Sequence, residues 1–339
     1  MKPSETMKLY YKGILLVAAL VLISCGNGSE KKKILTDSKG LPSELLLVVD
    51  KDIWQSDLKD TIKAITEEPV PGTMEGEPMF RTTQIFTDGY DRMFVTMHSK
   101  LFVHVDKSLK KPMIGINHNV SARPQIEVTV SAPSLAELRD FLPRKRQQIQ
   151  DSICEAQLEM REMELRKHYS ARVNKDLQKV LGMQICVPEE IKATKKCKDF
   201  LWAGTNQNEK DINLVVYTYP LNRKTAYDEA AAIDVRDSVM QKNIPGDQPD
   251  QWMETTREKG KPIVLSRMIN VKGQPMLEIR GLWQMRNGAL GGPFVTLIRE
   301  DKAHNRAIAT EGFVYNPNAD KRDLLRKMEA AVRTLEIKK

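Results

Sequence analysis

Apolar residues recur along the chain in two patterns, one with the period of a helix and one with the alternation or unbroken run of a strand. Helical spacing predicts helices over 54–67, 144–181, 225–242 and 319–335. The strand patterns predict strands over 44–49, 80–86, 93–97, 101–105, 125–130, 183–187, 198–203, 212–219, 262–271, 275–285, 294–299 and 306–315. The predicted fold class is therefore α+β, with two antiparallel-sheet halves and flanking helices joined by a long helix.

The order of these elements divides the chain into five predicted parts. A signal peptide over 1–24 and a lipidated linker over 25–40 precede an N-terminal α+β domain over 41–133. A long connecting helix follows over 134–181, and a C-terminal α+β domain occupies 182–339. The apolar stripe of the connecting helix is expected either to pack across both halves or to form an interface with a partner.

The N-terminal segment has the composition of a signal peptide. Lys2, Lys8 and Lys12 precede an uninterrupted apolar run over 14–23. As a helix this run extends about 15 Å, half of the roughly 30 Å hydrocarbon core of a membrane. The length therefore disfavours the alternative of a membrane anchor that stays in the mature chain.

The tetrapeptide Leu22-Ile23-Ser24-Cys25 resembles the bacterial lipobox, in which an aliphatic residue, a tolerant position and a small residue precede a cysteine. The resemblance implies that Cys25 is acylated after cleavage, so that acyl chains hold the protein on a membrane. Position 27 is not the aspartate that retains lipoproteins of enteric bacteria at the inner membrane, which favours the outer membrane. Lysines rather than acidic residues occupy 31–33, which favours the periplasmic face over the cell surface.

Charge and motif content exclude several classes of function. The chain has 53 Lys and Arg against 45 Asp and Glu, a net charge of +8, with both signs interspersed, so a nucleic-acid partner is not expected. The sequence lacks the common hydrolase, zinc-protease and phosphate-binding motifs, and its five histidines show no metal-ligand spacing. We therefore expect no catalytic residue, no metal and no cofactor.

Two groups of side chains in the second half are candidates for covalent or binding roles. Cys186 and Cys197 flank a connection of ten residues and are expected to form either a cross-strand disulfide or two buried thiols. The aromatic candidates are Trp202, Trp252 and Trp283, with Tyr217 and Tyr219. These rings form either a platform for a sugar or peptide or a part of the core.

Three short triplets resemble the O-glycosylation acceptors of Bacteroidales secreted proteins, in which an aspartate precedes the modified hydroxyl and an aliphatic residue follows it. The hydroxyls concerned belong to Thr61, Ser152 and Ser238. All three fall in predicted helices, so modification would depend on their exposure.

Several segments together resemble a Bacteroidales lipoprotein family that is described as a domain of unknown function. They are the lipobox, the strand at 44–49, the turn and strand at 291–294, and the run 311–317 before the last predicted helix. The element order of the second half also resembles the αβα sandwich of PsbP-like proteins. The family resemblance carries over no catalytic residue.

The sequence thus predicts a lipid-anchored, non-enzymatic protein of the cell envelope that binds an envelope partner through a sheet face or the long helix. Two alternatives stay open, namely accessory glycan or peptidoglycan binding by the second-half tryptophans, and a cryptic hydrolase. An exposed apolar stripe on the helix would favour the first function. Exposed coplanar tryptophans would favour glycan binding, and clustered acids in a deep cleft would favour a hydrolase.

Overall fold

The computed structural model of the protein describes residues 35–73, 76–221 and 226–337. The predicted signal peptide, the lipobox residues Leu22, Ile23 and Ser24, and the predicted lipidation site Cys25 lie outside the described residues. Within the described part, everything from Asp37 onward belongs to one compact unit.

The helices and strands of the described part confirm an α+β protein. The helices are α1 Lys51–Trp54, α2 Leu58–Thr66, α3 Leu135–Lys167, α4 Ala171–Leu181, α5 Glu229–Asn243 and α6 Arg322–Val332. The strands are β1 Thr36–Asp37, β2 Glu44–Val49, β3 Arg81–Phe86, β4 Ser99–Val105, β5 Met113–His118, β6 Ala122–Arg123, β7 Ile126–Ala132, β8 Met183–Gln184, β9 Ala193–Cys197, β10 Phe200–Gly204, β11 Asp211–Pro220, β12 Met253–Thr255, β13 Arg257–Glu258, β14 Lys261–Pro262, β15 Val264–Val271, β16 Gln274–Met285, β17 Gly291–Asp301, β18 Arg306–Tyr315 and β19 Glu336–Ile337.

The sheet of the first half has five strands in the order β3-β2-β4-β7-β5. The prediction of an antiparallel sheet is wrong for this half, because β2 pairs in parallel with β3 and β4, and β4 with β7. Parallel neighbours require crossover connections, which α1, α2 and the long loops supply. The central strand β2 is buried from Leu45 to Val49, as is typical of a strand covered on both faces.

The sheet of the second half has eight strands and is antiparallel throughout, as expected. Six strands follow the order β16-β17-β18-β11-β10-β9, and β12 and β15 share the other edge of β16. Helices α4 and α6 pack on one face through Val173, Leu177 and Met328. Helix α5 covers part of the opposite face through Ile233 and Met240. The sheet therefore carries helices on both sides.

The long helix differs in both bounds from the helix predicted over 144–181, whereas its start agrees with the connecting helix predicted over 134–181. Helix α3 begins earlier, at Leu135, because the Ser134 side chain accepts a hydrogen bond from the Glu137 N–H and caps the first turn. It ends at Lys167, and α4 resumes at Ala171, so a single helix to residue 181 is wrong. The interruption arises where the Ser170 N–H donates to the Val187 carbonyl, which turns the chain toward the second sheet.

The apolar stripe of α3 is buried. Ile149 and Ile153 are fully covered and Ala156 is 5% exposed, all three within the core of the first half. Helix α3 also contacts α6, so it packs across both halves. Of the two alternatives for this stripe, the structure shows packing across both halves, and Met163 on the same helix is 42% exposed.

The prediction of a strand over 93–97 is wrong, since this segment forms consecutive turns. Two of its carbonyl groups accept hydrogen bonds from side chains, and a third, that of Thr96, accepts one from the Lys39 N–H at 2.8 Å. The Gln125 side-chain amide donates to the Val95 and Met97 carbonyls, and the buried Lys100 ammonium also donates to Val95. Side-chain donors thus replace a sheet ladder at this position.

Candidate functional site

A cleft of about 600 Å³ opens on the α5 face of the eight-stranded sheet, beyond the C-terminal end of α5. Its aromatic lining consists of Trp202, Trp283, Phe313 and Tyr315. Its polar lining consists of Lys195, Gln207, Asn208, Asp211, Asn213 and Asn243. We call this the aromatic cleft. Its size and its mixture of apolar walls with a few polar groups are typical of small-ligand sites.

Two glycines let the indole rings lie against the sheet. A Cβ atom at Gly204 would stand 2.6 Å from the Trp202 ring and would also overlap the Asn213 side chain. A Cβ atom at Gly292 would overlap the Val314 carbonyl oxygen, to which the Trp283 indole N–H donates at 3.2 Å across β17. The absence of side chains at these two positions therefore sets the orientation of both indoles.

A chain of hydrogen bonds fixes Trp202 further. Its indole N–H donates to Asn213 Oδ1 at 2.9 Å, and the Asn213 amide donates to Asp211 Oδ2 at 2.8 Å. Asp211 Oδ1 accepts from the Thr205 hydroxyl at 2.5 Å and from the Gln207 N–H at 3.3 Å. Because every link is a directional hydrogen bond, the Trp202 ring is held in one position before any ligand arrives.

The wall of the cleft at the end of α5 is positioned by a buried ion pair. Arg236 on α5 donates to both carboxylate oxygens of Glu311 on β18, at 2.8 and 2.7 Å. The Arg236 guanidinium also lies 4.0 Å above the Phe294 ring centroid. Burial by itself would lower the pKa of Arg236, but the Glu311 carboxylate has the larger and opposite effect, so the pKa of Arg236 is raised. The pair fastens α5 to the sheet next to the cleft.

The structure brings two of the three predicted tryptophans together. Trp202 is half-buried at the cleft and Trp283 is 4% exposed, with its ring edge-to-face against Phe313 at 5.5 Å. Trp252 does not line the cleft, and Arg286 stacks 4.7 Å above it. The expected platform is thus a half-buried Trp202 backed by a buried Trp283 rather than three exposed coplanar rings.

Tyr217 and Tyr219 do not line the aromatic cleft. Their rings lie 6.2 Å apart, and both hydroxyls are buried without a hydrogen-bond partner among the described residues. Burial raises the pKa of Tyr219 to about 12 and also raises that of Tyr217 well above its ordinary value. Both tyrosines therefore stay neutral and belong to the core beneath α5.

Of the two alternatives for Cys186 and Cys197, a disulfide or two thiols, the structure has free thiols. Cys186 packs on the sheet face that α4 and α6 cover. Cys197 packs on the opposite face, against the cluster that contains Phe200. The sheet separates the two thiols, which the spacing in the sequence could not indicate. The remaining alternative, two partly buried thiols, is what the structure has.

The three predicted glycosylation positions lie in helices, as expected. Ser238 on α5 is exposed, whereas Thr61 on α2 and Ser152 on α3 are half-buried. The Ser152 hydroxyl donates to the Gln148 carbonyl at 2.7 Å. Exposure therefore favours Ser238 among the three, and modification itself stays a prediction.

Residues 35–73, 76–221 and 226–337 contain neither a metal-ligand cluster nor a helix that could cross a membrane. In these ranges no group of three or more histidine, cysteine, aspartate or glutamate side chains is arranged to hold a metal ion. No helix within the same ranges is long and apolar enough to cross a membrane.

The comparisons with solved structures give distant likenesses. A crystal structure from Bacteroides thetaiotaomicron is 9% identical, with a TM-score of 0.28, and the match covers 47% of this chain and 46% of that chain. The Ran-binding protein Mog1p of Saccharomyces cerevisiae is 10% identical, with a TM-score of 0.32, over 46% of this chain and 90% of that one. At such TM-scores neither likeness bears on function.

No curated protein gives a significant match to the chain. Two family models do match, and together they span most of the described part. Residues 38–166 match a domain of unknown function, DUF8532, and residues 170–334 match another, DUF4837. The boundary between the matches coincides with the interruption between α3 and α4. The chain is therefore similar to two domains of unknown function, to DUF8532 in its first half and to DUF4837 in its second.

Proposed function

We propose that the protein is a lipid-anchored, non-catalytic component of the cell envelope that binds a glycan in the aromatic cleft. The observation that carries the glycan assignment is the placement of Trp202 and Trp283 in one cleft beside the side chains of Gln207, Asn208 and Asp211. The anchor rests on the lipobox that ends at Cys25.

The chemistry of a sugar ring matches this lining. A pyranose has faces made of C–H groups, which pack against aromatic rings, and an edge of hydroxyl groups, which both donate and accept hydrogen bonds. Side-chain amides offer a donor and an acceptor in one plane, and Gln207 and Asn208 are exposed at the cleft. Trp202 supplies the apolar face, and the hydrogen-bond chain through Asn213 keeps it in place. Little ordering is therefore needed on binding.

The charge arrangement supports binding rather than hydrolysis. The acidic residues of the other large cleft, between α3 and β15, include Asp151, Glu278 and Glu329, and each is bonded to an arginine. Arg280 and Arg267 outweigh the effect of burial and lower the pKa of Glu278 to about 2. A glycosidase needs a carboxylic acid that holds its proton near neutral pH, which Glu278 does not, whereas burial raises the pKa of Glu155 in the same cleft although Arg333 is bonded to it.

The proposed cellular location of the protein rests on its sequence. Acylation of Cys25 would hold the mature chain on the outer membrane, at its periplasmic face, and the family would be a Bacteroidales lipoprotein family. At that face the protein meets peptidoglycan, which is the glycan proposed here. The buried stripe of α3 leaves the aromatic cleft as the better supported binding surface.

The binding test compares two tryptophan variants. The full chain carrying Cys25→Ala would be titrated with chitotetraose and with soluble peptidoglycan strands by calorimetry. Trp202→Ala is expected to weaken binding about tenfold or more, because truncating a central tryptophan costs about 2 kcal/mol. Trp252→Ala, a tryptophan outside the cleft, is the matched control and should bind like the parent chain. Equal affinities for both variants, or no binding by the parent, would contradict the proposal.

The anchor is tested separately. Cells that express the chain or its Cys25→Ala variant would be fed an alkyne-bearing fatty acid. Label on the parent and none on the variant is the expected result. Label retained by Cys25→Ala would refute acylation at this residue and would leave the glycan assignment untouched.

A further inference from the structure

A second cleft, of about 680 Å³, lies between helix α3 and strand β15 and is separate from the aromatic cleft. We call it the arginine cleft. Its rim is exposed and includes Asp151 on α3 and Met268 on β15. Its floor consists of the buried Arg280, Arg326 and Glu329 and the half-buried Cys154. It thus combines one helix wall, one strand wall and a charged floor.

The strand wall is a sheet edge. In the described part of the chain, β15 pairs on one side with β16 and has no strand on its other side. The consecutive residues 265–270 of this strand all line the arginine cleft. An edge strand presents unpaired main-chain N–H and carbonyl groups, and an extended peptide can add to it as a further strand.

The edge is also apolar where it meets solvent. Leu265 is 59% exposed and Met268 is 52% exposed, although β15 belongs to a large sheet. Monomeric proteins usually protect such edges with charges, and β15 carries one arginine, Arg267. The strand therefore offers both main-chain groups and side-chain contacts to an extended partner.

Most charges on the floor are paired. Arg280 bonds to Glu278 and to Glu329, and Arg333 bonds to Glu155 and to Glu162. These contacts are ion pairs, in which Glu329 uses Oε1 and leaves Oε2 without a partner.

Arg326 is the exception among the described floor residues. It is 4% exposed, and it donates through Nη2 to the Cys154 sulfur at 3.1 Å, which is a weak acceptor. Its Nε has no hydrogen-bond partner, and neither has Glu329 Oε2 on the same helix. A buried guanidinium without a bonded carboxylate is costly, by several kcal/mol in general. The floor thus holds one hydrogen-bond donor, Arg326 Nε, and one acceptor, Glu329 Oε2, that have no partner.

These two groups complement the end of a peptide. Arg326 and Glu329 are three residues apart on α6, so they share one helix face, with Cβ atoms about 5–6 Å apart. A guanidinium binds a carboxylate through parallel hydrogen bonds, and a carboxylate oxygen accepts a peptide N–H. A C-terminal residue carries both of these groups next to each other.

We propose that the arginine cleft binds an extended peptide by its free C-terminal carboxylate. Arg326 binds the carboxylate, Glu329 accepts the N–H of the last residue, and the preceding residues pair with β15. Both unmet atoms are covered by neighbouring side chains, so Arg326 and Glu329 rotate toward the cleft on binding, a change common at interfaces. The Arg267–Asp151 ion pair, half-exposed at 3.1 Å, spans the rim and opens at little cost.

The test uses two matched peptide mixtures. One is a mixed-sequence library of N-acetyl pentapeptides with a free C-terminus, and the other is the same library with a C-terminal amide. Affinity selection on the full chain carrying Cys25→Ala, read by mass spectrometry, is expected to retain members of the acid library. The amide library should be retained about tenfold less or not at all, because the amide removes the charge that Arg326 binds. Equal retention of the two libraries, or retention of neither, overturns the proposal.

A variant pair assigns the binding to this cleft. Arg326→Gln should reduce retention of the acid library about tenfold or more, whereas Arg139→Gln, in the exposed ion pair with Asp57 outside the cleft, should retain it. Acid-library binding that Arg326→Gln leaves unchanged overturns the proposal. Thermal unfolding checks that both variants fold.

A measurement on the parent chain covers the case in which Arg326→Gln does not fold. Bound acid peptide should slow alkylation of Cys154 by iodoacetamide, with Cys197 on the second sheet as the internal reference. No protection of Cys154 relative to Cys197 overturns the proposal.

Discussion

The buried ion pair between Arg236 and Glu311 gives the sharpest stability prediction. The Arg236 and Glu311 side chains are 2% and 0% exposed and are joined by two hydrogen bonds of 2.8 and 2.7 Å. Glu311 also accepts from the Thr296 hydroxyl at 2.6 Å. Glu311→Leu would leave the buried guanidinium with Asp237, at 3.3 Å, as its remaining carboxylate partner, and Arg236→Met would leave a buried, uncompensated carboxylate. Each is expected to lower the free energy of unfolding by about 3–5 kcal/mol.

The double variant should be more stable than either single variant. Arg236→Met with Glu311→Leu removes both charges and leaves the Thr296 hydroxyl without its acceptor, an expected loss of about 1–2 kcal/mol. Urea unfolding followed by circular dichroism at pH 7 would measure all three variants. Lys63→Ala, which removes the exposed pair with Glu67, is the control and should change stability by less than about 0.5 kcal/mol. Additive losses in the double variant would refute the assignment of a buried, coupled pair.

Three further predictions concern pH, packing and thiols. Burial alone would raise the pKa of Glu278, but Arg280 and Arg267 have the larger effect and lower it from 4.5 to about 2. The ionised Glu278 therefore stabilises the fold at neutral pH, and this contribution is lost as the pH falls from 4.5 to 2. Glu278→Gln should therefore flatten this part of the acid unfolding curve, and an unchanged curve would contradict the pairing. Gly292→Ala should lower the free energy of unfolding, measured in urea, by about 1–3 kcal/mol, because the added Cβ overlaps the Val314 carbonyl. Gly89→Ala is the control, since the space around Gly89 is open, and it should leave the free energy of unfolding unchanged. Alkylation of the unfolded Cys25→Ala chain without reductant should modify Cys154, Cys186 and Cys197, and a protected Cys186–Cys197 pair would contradict the free thiols.

Local patterns were sufficient for most elements but not for their pairing. The strand predicted over 306–315 is confirmed at both ends, and the strand over 44–49 likewise. The parallel pairing of β2 with β4 was missed, because strand direction depends on connections that no period within the strand encodes. The continuous apolar run of β2 was a signal of burial on both faces and could have indicated parallel neighbours.

The candidate site was predictable in part. The tryptophans of the second half were identified, but their meeting depends on the strand order that places β10 and β16 in one sheet and on Gly204 and Gly292 beside the rings. The arginine cleft was missed, because Arg326 and Glu329 have the spacing of an ordinary solvated helix pair. Their burial becomes visible when α3 and β15 enclose them. Tertiary context, rather than local sequence, decides such positions.

The central claim is that a glycan binds against Trp202 in the aromatic cleft. The chain has four tryptophans, so labelling with 5-fluorotryptophan gives four fluorine NMR signals, which single Trp→Phe variants assign. Titration with chitotetraose or peptidoglycan strands is predicted to shift the Trp202 signal and, to a smaller extent, that of Trp283 in a saturable way. The signal of Trp54, on α1 in the first half, should stay in place. Saturating glycan with no movement of the Trp202 signal, or with equal movement of Trp54, would contradict the account.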